Sequence, residues 1–477
     1  MSASRDVVES TGRIVLNGEP VEYRAVCRDF PVRNSDGSVA GTMFSCSYIR
    51  TDVAADANRP VLFAFNGGPG SSALWLHMGL LSPRKADFGD PEEPNQTPPF
   101  KLEDNRHCPL DVCDIVVIDP VGAGFGRLNG PVQPCSVLSI EGDAKAFADF
   151  IECWVSEENR WDSPKYLLGE SYGTLRACFI ANILLGGPTF AGAVSRGLTI
   201  DGIILSGASI TVNPKPNLWD EYGVEAGVLD LPSIAAVNCY HSGVRGSRLE
   251  DCVREAYDFG TEYLVALYLG NRLCGERRRA VLEKLSHLTG LSENYLELCA
   301  LHLDASEYAS VRLSPERRSL ASYDARFTLP YVKRAGTQDP VGDDASMGRL
   351  MPAFRGAFMK YASETLKLDT TREYKVIDFN INGVWDYCCT KTPFEHLQSA
   401  LKRNRGMRVL FCSGMFDLVT TMGRVRYTVS QLKFEAGQVL ISEYPSGHMQ
   451  YIGEESAARL SSDIRDFVLG RRVGTEI

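Results

Sequence analysis

Apolar positions along the chain fall into two rhythms. Short runs at Val61–Phe65, Ile115–Ile118, Tyr166–Leu168, Gly202–Leu205, Arg408–Cys412 and Val439–Tyr444 have the length and continuity of strands buried on both faces of a parallel sheet. Between them lie segments with helical spacing. Ser139–Glu157 sets Ile140, Ala144, Phe147, Phe150, Ile151 and Trp154 on one face, and Leu175–Leu185, Pro393–Arg403 and Ser456–Leu469 also read as helices. The start of the chain is different. Arg13–Arg24 reads as strand, Asn17-Gly18 turn, strand, because Asn-Gly favours the tight hairpin turn. A second hairpin around Asn34–Gly37 leads into Met43–Ile49. Strand and helix thus alternate behind an antiparallel opening, which predicts an α/β protein with a central, mostly parallel sheet.

From about Asn213 the rhythm becomes helix after helix, clearest at Glu250–Leu269, Glu276–Leu288 and Glu293–Leu303. No buried parallel strand is evident until the region of Lys375. The expected organisation is a core in two parts, residues 1–212 and 376–477, interrupted by a mainly helical cap over residues 213–375.

Composition narrows the function classes. The chain has 477 residues and a formal charge of -10, which argues against a nucleic-acid partner. Its short basic runs, Arg277–Arg279 and Lys402-Arg403, read as solvated helix faces. No apolar stretch approaches the roughly 18–20 residues that span a bilayer, so no membrane segment is expected. The first residues lack the apolar centre of a signal peptide. A cytoplasmic location follows if Met1 is the native start, and a removed leader would change that. The 14 cysteines are scattered without a Cys-x-x-Cys pair. Cys153, Cys178 and Cys412 read as reduced core thiols and the vicinal Cys388-Cys389 as buried and inert. Nothing has metal-ligand spacing, and no cofactor is expected. Whether the chain forms a homodimer is left open.

Candidate chemistry gathers at strand ends. The run Tyr166-Leu-Leu-Gly169-Glu170-Ser171-Tyr172-Gly173 is a strand entering Gly-x-Ser-x-Gly ahead of a helix, the order of a nucleophile elbow. The strand at Val61–Phe65 ends in a glycine-dense loop, Asn66-Gly67-Gly68-Pro69-Gly70-Ser71-Ser72. The strand at Ile115–Ile118 ends in Asp119-Pro-Val-Gly122-Ala-Gly124-Phe-Gly126, whose spacing is not that of a dinucleotide fingerprint. Two later strands deliver Asp417 and His448. Ser171, Asp417 and His448 therefore occur in the order nucleophile, acid, base of the α/β-hydrolase fold. The chemistry needs all three: the serine attacks once the histidine takes its proton, and the acid fixes the tautomer and stabilises the imidazolium.

With these residues in view the chain resembles the serine carboxypeptidases, and its wording is closest to bacterial-type members. The resemblance rests on Asn66–Ser72, Asp119–Phe125, Gly169–Gly173, Ser413-Gly-Met-Phe-Asp417 and Gly447-His448-Met449, in the family's order over nearly the whole chain. It implies an α/β-hydrolase fold with an inserted cap and metal-free removal of single residues from peptide C-termini. It also implies an oxyanion hole from the backbone N–H groups of Gly68 and Tyr172. Asn66 and Glu170, with the Gly67 backbone, would hold the substrate's terminal carboxylate. Two positions depart from the common pattern. Ala64 stands where many members carry tryptophan, and Ser71 where many secreted members carry a disulfide-bonded cysteine. Acyl transfer or ester hydrolysis on the same triad stays open as an alternative to peptide hydrolysis. A binding protein that kept the fold is a third reading, against which the intact triad counts.

Overall fold

The structure is a computed structural model that describes residues 7–54, 58–87, 89, 93–94, 96–186, 195–210, 226–330 and 339–476. The chain begins with three long antiparallel strands, β1 (Val7–Leu16), β2 (Glu19–Arg33) and β3 (Val39–Arg50). Asn17 and Gly18 both have positive φ, 51° and 86°, as the tight turn between β1 and β2 requires. The core follows as β4 (Val61–Phe65), β5 (Asp114–Asp119), α1 (Ile140–Glu157), β6 (Lys165–Glu170), α2 (Tyr172–Leu184) and β7 (Gly202–Ser206). After the inserted helices it resumes with α9 (Pro393–Arg403), β8 (Arg408–Gly414), α10 (Met422–Gln431), β9 (Val439–Tyr444), α11 (Glu454–Val468) and β10 (Thr475–Glu476).

These strands form one sheet in the order β1-β2-β3-β5-β4-β6-β7-β8-β9-β10, with a two-residue strand at Arg127–Leu128 also on β3. The pairs from β5 through β9 are parallel. The ends are antiparallel. Every residue of β4, β5, β6 and β7 is buried, which is why these strands read as continuous apolar runs. Their side chains still alternate. Leu62, Ala64, Val117 and Leu168 pack on the face covered by α11 and by the helix Met347–Glu364. Val61, Phe63, Phe65, Val116 and Leu167 pack on the face covered by α1, α2 and α9.

The insertion carries α3 (Ala226–His241), α4 (Ser247–Leu269), α5 (Gly275–Thr289), α6 (Glu293–Leu298), α7 (Ala305–Val311) and α8 (Met347–Glu364). Its start near Asn213 lies outside the described residues. Helices α3 to α7 share an apolar cluster of their own, which meets the core at Met415, Phe416, Leu418 and Met422. By contrast, Leu350, Phe354, Phe358 and Tyr361 of α8 lie in the sheet's cluster.

Several expectations are corrected. The helix expected over Glu293–Leu303 breaks at Leu298. Ala300 and Leu301 take positive φ, and a new helix starts at Ala305 with the Asp304 side chain accepting from the Glu307 N–H. No parallel strand begins near Lys375. Lys375 and Ile377 instead form single bridges to Gly124 and Ser71, and the parallel order resumes at β8. Cys388 is exposed and Cys389 half-buried rather than both buried, and Cys153 is half-buried. Neither vicinal thiol is activated: a hydrogen bond to Asp386 raises Cys388, and burial pushes Cys389 up to about 11. Cys178 and Cys412 are buried free thiols, while Cys239 and Cys252 form a disulfide between α3 and α4. Among the described residues no helix is long and apolar enough to cross a membrane.

The N-terminal strands are tied to α1 through Trp154. It is buried, donates its Nε1–H to Ser47 Oγ at 3.0 Å and meets Phe63 edge-on at 5.3 Å. Trp154→Ala should destabilise the fold by about 3–5 kcal/mol, measured as a fall in the urea midpoint at unchanged slope.

Candidate functional site

Strand β6 delivers Ser171 into a turn that only this local sequence permits. Ser171 has φ 58° and ψ -127°, a conformation side chains other than glycine rarely adopt. A Cβ on Gly169 would lie 2.1 Å from the Gly173 carbonyl oxygen, and one on Gly173 would lie 2.8 Å from that of Phe65. Both positions are therefore restricted to glycine. The Ser171 N–H donates to the Ser206 carbonyl at 2.9 Å. Its own carbonyl accepts from the Thr174 N–H at 2.9 Å and the Thr174 hydroxyl at 2.6 Å. Helix α2 starts at once, so its first N–H groups point toward the serine.

The glycine-rich loop after β4 lies against this turn. A Cβ on Gly67 would fall 2.4 Å from the Tyr172 nitrogen, and Gly68 takes φ 106°. Thus the Gly67 backbone lies against the Tyr172 N–H, next in sequence to Ser171. Asp119 braces the loop from below. Its two carboxylate oxygens accept from the N–H groups of Ala73 (2.8 Å) and Phe125 (3.1 Å), and burial pushes its pKa up to about 6.

Strands β8 and β9 end in the loops that carry Asp417 and His448. His448 Nδ1 lies 2.7 Å from Asp417 Oδ2, and both side chains are buried. Asp417 Oδ1 accepts from the N–H groups of Val419 (2.7 Å) and Thr420 (2.9 Å). The Thr420 hydroxyl donates to Oδ2 and sits 3.2 Å from His448 Nδ1. Burial opposes ionisation of Asp417, yet the imidazole and these donors hold its pKa below the usual range. Burial likewise opposes the imidazolium, but the carboxylates of Asp417, Glu170 and Asp344 outweigh it and raise His448. His448 Nε2 has no hydrogen-bond partner among the described residues, which leaves it free to take a proton.

Next to the serine, Glu170 is buried. Its Oε1 accepts from Asn66 Nδ2 at 2.5 Å and from the Tyr451 hydroxyl at 3.3 Å, and its Oε2 has no partner among the described residues. Burial pushes its pKa up to about 7 against the pull of His448 and the two donors. Asn66 is fixed from both sides: its Oδ1 accepts from the Leu76 N–H at 3.1 Å and its carbonyl from Arg176 at 2.6 Å. Arg176 is fully buried, paired with Asp143 at 2.6 Å and lying 4.4 Å over the Phe147 ring.

The insertion reaches the site through Ser322–Ala325. The Ser322 carbonyl accepts from the Leu418 N–H (3.0 Å) and the Tyr323 carbonyl from the His448 N–H (2.7 Å), while the Ala325 N–H donates to the Phe416 carbonyl (3.0 Å). The Tyr323 ring meets the His448 ring edge-on at 5.3 Å. One strip of the cap thus holds both the acid and the base loops.

Residues 47–454 match the sequence profile of the serine carboxypeptidases. The chain belongs to that family. Among solved structures, the carboxypeptidase is similar to Kex1(Δ)p, a prohormone-processing carboxypeptidase from Saccharomyces cerevisiae. That match has 15% identity, a TM-score of 0.58, and coverage of 95% of this chain and 94% of the other. A putative aryl esterase from Burkholderia cenocepacia matches with 13% identity and a TM-score of 0.39, over 93% of this chain and 100% of its own. A proline iminopeptidase from Mycobacterium smegmatis matches with 12% identity and a TM-score of 0.36, over 93% and 98%. A search of curated protein sequences finds no match. The protein is a serine-type carboxypeptidase, a hydrolase of α/β-hydrolase fold.

The site residues expected from the carboxypeptidase's sequence follow the carboxyl ends of β4, β6, β8 and β9, and among the described residues no hydrogen bond joins His448 Nε2 to Ser171. Sequence reading passed over Thr420, Tyr451, Arg176 and the strip at Ser322–Ala325. Tyr451 and Thr420 each lie three residues past a triad member, which was the available signal. Arg176 and the strip act through tertiary packing alone. Thr420→Val removes a donor from the Asp417 carboxylate, which then holds the imidazole proton more tightly. The acid limb of the kcat/KM profile should move to higher pH. Turnover should fall roughly ten- to a hundredfold, matching the about 1.5–3 kcal/mol of one hydrogen bond to a charge. Thr420→Ser should restore both, which a merely structural role would not require.

Proposed function

We propose that the carboxypeptidase releases the last residue of a peptide through an acyl-enzyme on Ser171. His448 Nε2 takes the serine proton as Oγ attacks the scissile carbonyl, and Asp417 stabilises the imidazolium. The N–H groups of Gly68 and Tyr172 receive the oxyanion. His448 then gives its proton to the leaving amine, and water enters by the same route in reverse. Asn66, the Gly67 backbone and Glu170 hold the substrate's terminal carboxylate. Within residues 213–375, the part outside α8, which packs on the sheet, forms the cap over the site, and the peptide is its partner.

The observation that carries this reading is the Glu170 carboxyl: buried, adjacent to the nucleophile, with one oxygen unpartnered. A side chain whose pKa is pushed up to about 7 keeps its proton below that pH and can donate it to a carboxylate. An ester or acyl-carrier substrate without a free carboxylate gives such a group nothing to bind. The sign follows directly. As pH rises past the raised pKa, Glu170 ionises and repels the substrate carboxylate, so peptide turnover declines. On the acid side His448 must lose its proton. The two limbs are linked, because a neutral Glu170 no longer helps His448 to stay charged.

A free-carboxylate peptide should therefore lose kcat/KM on the alkaline side, while the same peptide amidated at its C-terminus should not. Glu170→Gln carries a permanent donor and should flatten that decline for the free peptide alone. One alkaline limb shared by both substrates and both enzymes would hand the lead to the esterase or acyltransferase reading. Independently, a fluorophosphonate should label Ser171. Ser171→Ala should abolish labelling and lower kcat by a factor on the order of 10⁶; label on another serine overturns the assignment.

A further inference from the structure

Cys27 and Cys46 stand directly opposite each other in the antiparallel ladder of β2 and β3. Opposed Cα atoms in such a ladder are about 4.5–5.5 Å apart, inside the roughly 4.4–6.8 Å that a disulfide spans. The two sulfurs already face each other at 3.1 Å. Both residues are buried, but a cavity of about 600 Å³ reaches Cys27, bounded also by Val8, Phe44, Phe125, Leu368 and Arg372. On the other side is a polar pair, with the Tyr48 hydroxyl 2.7 Å from His77 Nε2. None of Cys27, Cys46, Tyr48 and His77 is a member of the triad or of the expected oxyanion and carboxylate sites, and both cysteines precede the family match, which begins at residue 47.

We propose that Cys27 and Cys46 are a redox-active dithiol that hydrogen peroxide converts to a cross-strand disulfide. The surroundings assign the roles. Burial works against ionisation of Cys46, but hydrogen bonds from Cys27, His77 and Tyr48, with the charge of His77, bring its thiol down to about 5. Donating to Cys46, together with burial, raises Cys27 well above the usual range. Cys46 is the attacking thiolate, met by peroxide that enters the cavity past the Cys27 sulfur 3.1 Å away, and Cys27 is the resolving thiol.

The Cys46 thiolate attacks one peroxide oxygen. A sulfur–oxygen bond forms, the oxygen–oxygen bond breaks, and the leaving hydroxide takes up the proton that Cys46 gave up on ionising, becoming water. Cys27 sulfur then attacks the sulfenic sulfur. The disulfide forms, the sulfur–oxygen bond breaks, and the hydroxyl leaves as a second water with the Cys27 proton. Two thiols are oxidised and one peroxide is reduced to two waters, and a dithiol reductant reverses the change.

The test is peptide mapping of the full-length protein, alkylated under denaturing conditions before and after graded hydrogen peroxide. The expected result is a cross-linked Cys27–Cys46 peptide pair, lighter by two hydrogens and abolished by dithiothreitol. It should appear at peroxide doses that leave the exposed Cys135, Cys274 and Cys388 alkylatable. In Cys27→Ser, dimedone should trap a sulfenic acid on Cys46; in Cys46→Ser, Cys27 should stay a free thiol. Recovery of alkylated Cys27 and Cys46 from wild type, at doses that oxidise the exposed cysteines, overturns the proposal even if neither variant folds.

Discussion

Ser171 is held at a positive φ that costs on the order of 1–3 kcal/mol, and much of the surrounding structure exists to hold it there. The glycines on either side remove the Cβ atoms that would collide with neighbouring carbonyls. The carbonyl of β7 takes the serine N–H, and the first turn of α2 takes its carbonyl. Below the turn lies a fully buried Arg176–Asp143 pair. Such a pair adds little net stability over an apolar substitute, but losing one partner strands a charge at a cost of about 3–5 kcal/mol. Its guanidinium fixes the Asn66 carbonyl, and Asn66 in turn fixes Glu170. The torsion, the glycine-rich loop and the buried acid form one rigid unit.

The same rigidity makes the electrostatics of the site collective. Glu170, His448 and Asp417 are all buried, so the charge on each alters the others. On the proposed reading, Glu170 and Ser171 would place recognition of a substrate's end and attack on its last bond one residue apart. The distance from carboxylate to scissile carbonyl would then be set by the elbow.

Most core strands were legible as apolar runs because both of their faces are covered; in β9 the run stops at Ser442-Glu443. The first hairpin was legible because Asn17-Gly18 names its own turn. The triad could be ordered because each member follows a strand. Other features left no local trace. Helix α3 is buried on nearly every side and contains Pro232, so it offers neither a polar face nor a clean run. Helix α8 likewise contains Pro352. Cys388-Cys389 read as core because cysteine usually is, yet its segment lies on the surface. Tyr451 and Arg176 find their partners only once distant strands are side by side.

The strip Ser322–Ala325 gives the insertion an unexpected standing. Its backbone is hydrogen-bonded to the acid loop and to the base loop at once, so the cap is not an accessory laid over a finished hydrolase. Trimming the insertion away would cut out the splice that ties the His448 loop to the Asp417 loop. Helices α3 to α7 pack chiefly on one another, whereas these four residues belong structurally with the core.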